Sequence, residues 1–135
     1  MTVQSDIYEI ISNQGLLEAF AGKKILITGA SGLIGSMLIK TFDYANRKYD
    51  FDIKIIAHAR NKQKTKDILG DVVNRIDIVY SDDFNFDVKC DYIIHTASPT
   101  TSKFFIEHPV ETIDTILRGS KAMLELARRD GKAPA

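Results

Sequence analysis

The sequence predicts an α/β domain built on a parallel sheet flanked by helices. Two observations carry that prediction. Short apolar runs rich in β-branched residues alternate with longer segments of helical periodicity. A glycine-rich turn, Gly29 to Gly35, then joins the first such run to the first long helix. The length of 135 residues gives room for one domain, or for part of a larger one. A hydrophobic fraction of 44% with 27% charged residues excludes disorder over the whole chain.

Residues 6 to 20 have helical spacing, with Ile7, Ile10 and Ile11 on one face and Leu17 and Phe20 extending it. Asn13-Gln14-Gly15 interrupts that segment. Residues 1–22 are therefore expected to form a helical N-terminal extension, with the sheet domain over 23–135. Lys24 to Thr28 is a buried strand by its apolar centre. After the glycine turn, Leu33, Ile34, Met37, Leu38 and Phe42 recur at helical spacing, which predicts a helix to about Asn46. The second strand is Ile53 to Ala59, and Asn61 to Leu69 is a Lys-rich helix. The third strand is Ile76 to Tyr80 and the fourth Asp91 to His95.

Pro99 and Pro109 punctuate the chain after the fourth strand, with one or two helical turns expected over Ser102 to Glu107. Pro109 suits the first turn of a helix, where its missing N–H costs nothing. In that helix Val110, Ile113, Leu117, Leu124 and Ala127 mark an apolar stripe, and Gly131 suits the C-cap. Right-handed crossovers place the four strands in the order 3-2-1-4.

Charge and cysteine content narrow the function classes. Eighteen basic and eighteen acidic residues cancel, which argues against a nucleic-acid binder or a polybasic membrane-surface protein. No apolar run reaches the length of a membrane span, and residues 1–5 lack the start of a secretory signal. The single cysteine, Cys90, leaves no intrachain disulfide and fits a reducing, cytoplasmic setting. It precedes a strand and is read as a small buried residue rather than a nucleophile. His58, His95 and His108 lack the spacing of a metal site. Lys62, Lys64 and Lys66 are most simply a solvated helix face, with attraction of phosphates as the weaker alternative.

The segment Gly29-Ala30-Ser31-Gly32-Leu33-Ile34-Gly35 spaces its glycines three and three, between a strand and a helix. The first permits a tight turn. The second lets backbone approach a pyrophosphate, and the third lets helix pack closely on strand. First-turn N–H groups and the helix dipole then favour an anion, and Ser31 adds a hydroxyl. The bland alternative is an ordinary strand-to-helix turn. Position directly after an apolar strand favours a Rossmann-like binding site.

Three segments carry a resemblance. They are Ile27 to Ser36, Asp91-Tyr92-Ile93-Ile94-His95-Thr96-Ala97-Ser98-Pro99, and His108-Pro109-Val110-Glu111-Thr112 with Thr115, Gly119 and Leu124-Glu125-Leu126-Ala127. In order and separation they resemble the extended short-chain dehydrogenase/reductase family, the NAD-dependent epimerase/dehydratase group. Ala97-Ser98-Pro99 looks most like its nucleotide-sugar branch, the UDP-glucuronate decarboxylases and dTDP-glucose 4,6-dehydratases.

The resemblance implies roles. Gly29, Ser31, Gly32, Leu33, Ile34 and Gly35 would hold the pyrophosphate. Asp82 or Asp83 would contact adenine, and Thr96, Ala97 and Ser98 would line the ribose and nicotinamide side. Thr115 matches a threonine that the family follows with asparagine. Here Ile116 follows, so that polar role is lost. NAD-preferring members place an acidic residue at the end of the second strand, whereas this chain has Arg60-Asn61. Arg60 could pair with a 2′-phosphate, which points to NADP, or it could be a solvated strand-end arginine. The cofactor is therefore NAD or NADP.

Family chemistry needs a Tyr-x-x-x-Lys pair and a Ser or Thr that the family places beyond Ala135, along with a substrate domain. Tyr44 to Lys48 fits the pattern but sits at the wrong end of its helix for catalysis. This polypeptide thus resembles an N-terminal portion, truncated before a fifth strand and expected to be inactive alone. Its uncovered strand edge and the helix after Pro109 predict homo-oligomers. The leading expectation is the cofactor-binding portion of a nucleotide-sugar epimerase, dehydratase or decarboxylase. The complete enzyme would take a hydride from the sugar and return it. A non-catalytic dinucleotide-binding or subunit-partner module is the second reading. The third is an NADPH-dependent carbonyl reductase of the same family.

Overall fold

A computed structural model describes residues 18–84, 87–96 and 106–129, apart from the side chains of 112 and 115. Its elements are β1 (Lys24–Thr28), α1 (Leu33–Tyr49), β2 (Lys54–Ala59), α2 (Lys62–Leu69), a 3₁₀ turn (Gly70–Asn74), β3 (Asp77–Tyr80), β4 (Tyr92–His95) and α3 (Pro109–Arg129). The four strands form one sheet in the order β3-β2-β1-β4, and every pairing is parallel. This is the predicted order. Most of the helical leader, the turn after Pro99 and Gly131 lie outside the described residues.

Strand periodicity divides the core into two layers. Ile25, Ile27, Ile55 and Ala57 pack with Ile39, Phe42 and Ala45 of α1. Leu26, Ile56 and Ile93 point the other way, onto Met123, Leu126 and Ala127 of α3, with Cys90 buried among them. Both faces of the sheet are thus covered, as parallel strands require.

Two details depart from expectation. Helix α1 runs to Tyr49, a turn beyond Asn46. Asn46 does not stop it. Its side-chain amide instead donates to the Ile53 carbonyl and accepts from the Ile53 N–H, both at 2.8 Å, clasping the chain just before β2. Asp50 then ends the helix in the left-handed region, at φ 56°. The stripe on α3 is also split: Ala127 meets the sheet, but its other members do not. Val110, Ile113, Leu117 and Leu124 are exposed, whereas Gly119, Met123, Leu126 and Ala127 are buried. Gly119 and Ala127 let α3 lie close to the sheet, with Met123 and Leu126 filling the contact, and the other row is left on its outer side.

Candidate functional site

The candidate site forms where β1, β2 and β4 end. Gly29 follows β1 with φ +75°, in the left-handed region that glycine enters without steric cost. Its carbonyl accepts from the Gly32 N–H at 2.9 Å, closing the turn. Gly32 is the N-cap of α1, without a side-chain cap and with no acidic residue in the first turn. The first-turn N–H groups have no acceptor within the helix, and the positive dipole end is not neutralised locally.

Gly35 is fixed by packing. A Cβ there would overlap the Gly29 carbonyl oxygen, come within 2.8 Å of the Gly29 carbonyl carbon and within 2.9 Å of Thr96 Oγ1. The loop is thus pressed against both the start of α1 and the end of β4. Ser31 is half-buried on the loop. Leu33 (80% exposed) and Ile34 (64%) point outward, although their spacing groups them with the core residues of α1.

A row of polar side chains crosses the sheet beside this loop. Thr28 is in register with His58 on β2 and with His95 on β4. All three follow Leu26, Ile56 and Ile93 by two residues, so they share the α3 face. Thr28 Oγ1 is hydrogen-bonded to His95 Nδ1 at 2.6 Å and accepts from the Thr96 N–H at 3.1 Å. Thr96 Oγ1 donates to the Thr28 carbonyl at 2.6 Å. His58 Nε2 lies 3.1 Å from the Ser81 carbonyl, which can only accept, so that nitrogen carries the proton. The His58 carbonyl accepts from the Ala30 N–H at 3.1 Å, tying β2 to the glycine loop.

Burial holds the His58 imidazole below its ordinary pKa of 6.5, and Arg60 acts in the same direction. The Ser81 and Asp83 hydrogen bonds and the Asp83 charge only partly oppose this. His95 is lowered by burial and then by His58.

Arg60, Asp82 and Asp83 lie on one side of the site. They line one cavity of about 930 Å³ with Phe84, facing Arg118 and Lys121 of α3. Asn61 is otherwise engaged: its side chain accepts from the Lys64 N–H at 3.0 Å and caps α2. Thr96 sits against the loop, while Ala97 and Ser98 lie outside the described residues. Thr115 falls on α3, but its side chain also lies outside them. Tyr44 is half-buried on α1, whose C-terminal end meets the chain before β2, far along the helix from the glycine loop.

Sequence reasoning assigns no role to Thr28, His58, Phe84 or Gly119. Strand parity could have placed Thr28 and His58 on one face with His95. Nothing local marks Phe84, whose ring contacts come from elements distant in sequence.

No helix among the described residues is long and apolar enough to cross a membrane. Residues 25–134 match the NAD dependent epimerase/dehydratase family. A curated relative, UDP-glucuronic acid decarboxylase 6 of Arabidopsis thaliana, is 32% identical over 109 residues, which are 80% of this chain and 31% of that protein. Two solved structures share the fold at 21% identity. Pen from Bacillus thuringiensis has a TM-score of 0.65, over 84% of this chain and 36% of its own. The dTDP-glucose 4,6-dehydratase DesIV from Streptomyces venezuelae, with NAD and TYD bound, has a TM-score of 0.61, over 81% and 37%. The chain thus spans about a third of the length of the proteins it matches.

Proposed function

The chain belongs to the NAD dependent epimerase/dehydratase family, and from that membership we propose that it forms the dinucleotide-holding part of an enzyme acting on a nucleotide sugar. The carrying observation is the glycine loop: an uncapped start of α1 beside a Gly35 that tolerates no side chain. A pyrophosphate would be held by first-turn N–H groups of Leu33, Ile34 and Gly35, with Gly32 giving close approach and Ser31 a hydroxyl. The adenosine end would lie toward Arg60, Asp82 and Asp83, because β2 ends beside the loop. Thr96, Ala97 and Ser98 would line the nicotinamide side. Lys62, Lys64 and Lys66 of α2 are exposed, which suits a solvated helix face.

When bound, the nicotinamide supplies a reversible acceptor for a hydride from the sugar. This chain's residues bind and orient the dinucleotide. The proton chemistry on the sugar belongs, in this reading, to the longer protein that the relatives represent. The decarboxylase, dehydratase and epimerase outcomes share this cofactor half.

A second reading is favoured by one residue. Arg60 is exposed, lines the cavity, and stands where an acidic residue would accept ribose hydroxyls. That arrangement suits a 2′-phosphate, and with it NADP and a reductase acting on a carbonyl compound.

A thermal-shift titration with NAD, NADH, NADP and NADPH tests both. Ligand at about 100 times its Kd adds about 2.7 kcal/mol, on the order of 10 °C for a domain of this size. A shift is expected with the natural protein and its loss with Gly35→Ala. Preference for the phosphorylated pair that disappears in Arg60→Ala supports the second reading. No shift with any of the four, at saturating concentrations, would refute dinucleotide binding by this chain.

A further inference from the structure

Phe84 follows the candidate adenine residues Asp82 and Asp83, and its ring is seated on three other elements. The ring centroid lies 5.0 Å from that of His58 on β2 and 5.4 Å from that of His95 on β4, edge-on to the latter. From the third side, α3 approaches through Gly119, where a Cβ would come within 2.8 Å of the ring. A side chain there would have to displace the ring. Phe84 also lines the cavity that holds Arg60, Asp82 and Asp83.

Two routes lead from this ring to the glycine loop. Through His58, the main-chain carbonyl accepts from the Ala30 N–H. Through His95, the imidazole is bonded to Thr28, Thr28 to Thr96, and Thr96 Oγ1 lies against Gly35. The segment that would touch adenine and the loop that would touch pyrophosphate share no chain segment. Phe84 stands at the junction of the contacts that connect them.

We propose that Phe84 is a positioning residue, whose ring on His58, His95 and Gly119 sets the adenosine side of the site at a fixed distance from the glycine loop. The proposal rests on the dinucleotide reading above. A ring that only filled space would matter for stability alone. A ring that sets this distance matters for ligands spanning it and not for ligands that stop at the loop.

The test compares two probes on the full chain: ADP-ribose, which carries adenosine and pyrophosphate, and nicotinamide mononucleotide, which lacks adenosine. Affinities are measured by titration calorimetry or competition NMR, with circular dichroism confirming the fold. Phe84→Leu keeps apolar volume and removes the ring. Gly119→Ala leaves Phe84 intact and displaces it from behind, so it carries the test if Phe84→Leu does not fold. In either folded variant ADP-ribose is expected to weaken about tenfold, with the mononucleotide changed less than about twofold. Unchanged ADP-ribose binding, or equal weakening of both probes, would overturn the positioning role. Failure of the natural protein to bind either probe refutes the dinucleotide reading and this role with it, and shows before any substitution is made.

Discussion

His58 is almost wholly buried and His95 half-buried, on one face of the sheet, with a phenylalanine ring between them. Both imidazoles are held below 6.5 chiefly because burial penalises their charged forms. The unfolded chain therefore binds more protons than the folded one in the window below 6.5. Their contribution to stability is fully present above that pH and is lost as pH falls toward the lowered folded values. The melting temperature should be level from pH 8 to 7 and fall between pH 6.5 and 5.5. His58→Gln should flatten part of that slope, and a melting temperature level down to pH 5.5 would contradict the assignment. Little of this pair was legible in the sequence. The two histidines are 37 positions apart in the chain, and only the register through Thr28 makes them neighbours. The glycine loop was legible because its whole logic lies within seven consecutive residues.

Secondary structure followed the apolar periodicity within one to three residues at most boundaries. Where α1 ended was less legible, because a side chain from the helix serves the next strand. Asn46 gives the chain before β2 both a donor and an acceptor. Asn46→Ala removes both while leaving the helix intact. It should destabilise the protein by about 1–3 kcal/mol, read as a lowered midpoint in urea. Asn46→Asp keeps the acceptor alone and should fall between. Equal midpoints for all three proteins would mean that the clasp contributes nothing. The faces of α3 were legible as apolar but not as to which one met the sheet. A stripe of Val, Ile and Leu has the stronger pattern, yet the contact went to Met123, Leu126 and Ala127, beside a glycine that allows close approach.

At the scale of the molecule, that stripe is an exposed apolar surface on a helix whose opposite side is already buried. Val110 is 73% exposed and Leu117 63%. We infer that it is covered by a second copy of the chain. Light scattering should give a dimer that Leu117→Lys converts to monomer without change in circular dichroism. A monomer for the natural protein at tens of micromolar would count against it. The sheet order was legible from the alternation of strands and helices and the Rossmann-like glycine turn together with right-handed crossovers, which leave few ways to lay four parallel strands beside one another.

The parallel pairing also has a consequence in time. β1 is the hub of the sheet, but its partner on one side, β4, enters 67 residues later, where the Lys24 N–H meets the Asp91 carboxylate. No hairpin can nucleate such a ladder, and the closure entropy of a long loop precedes any reward from the contact. The β1–α1–β2 unit can assemble first from nearer neighbours. The His58–Phe84–His95 stack must wait for β4. Amide protection during refolding would therefore appear first at the Gly29–Gly35 turn and its flanking elements and last on β4 and the ring stack that leans on it.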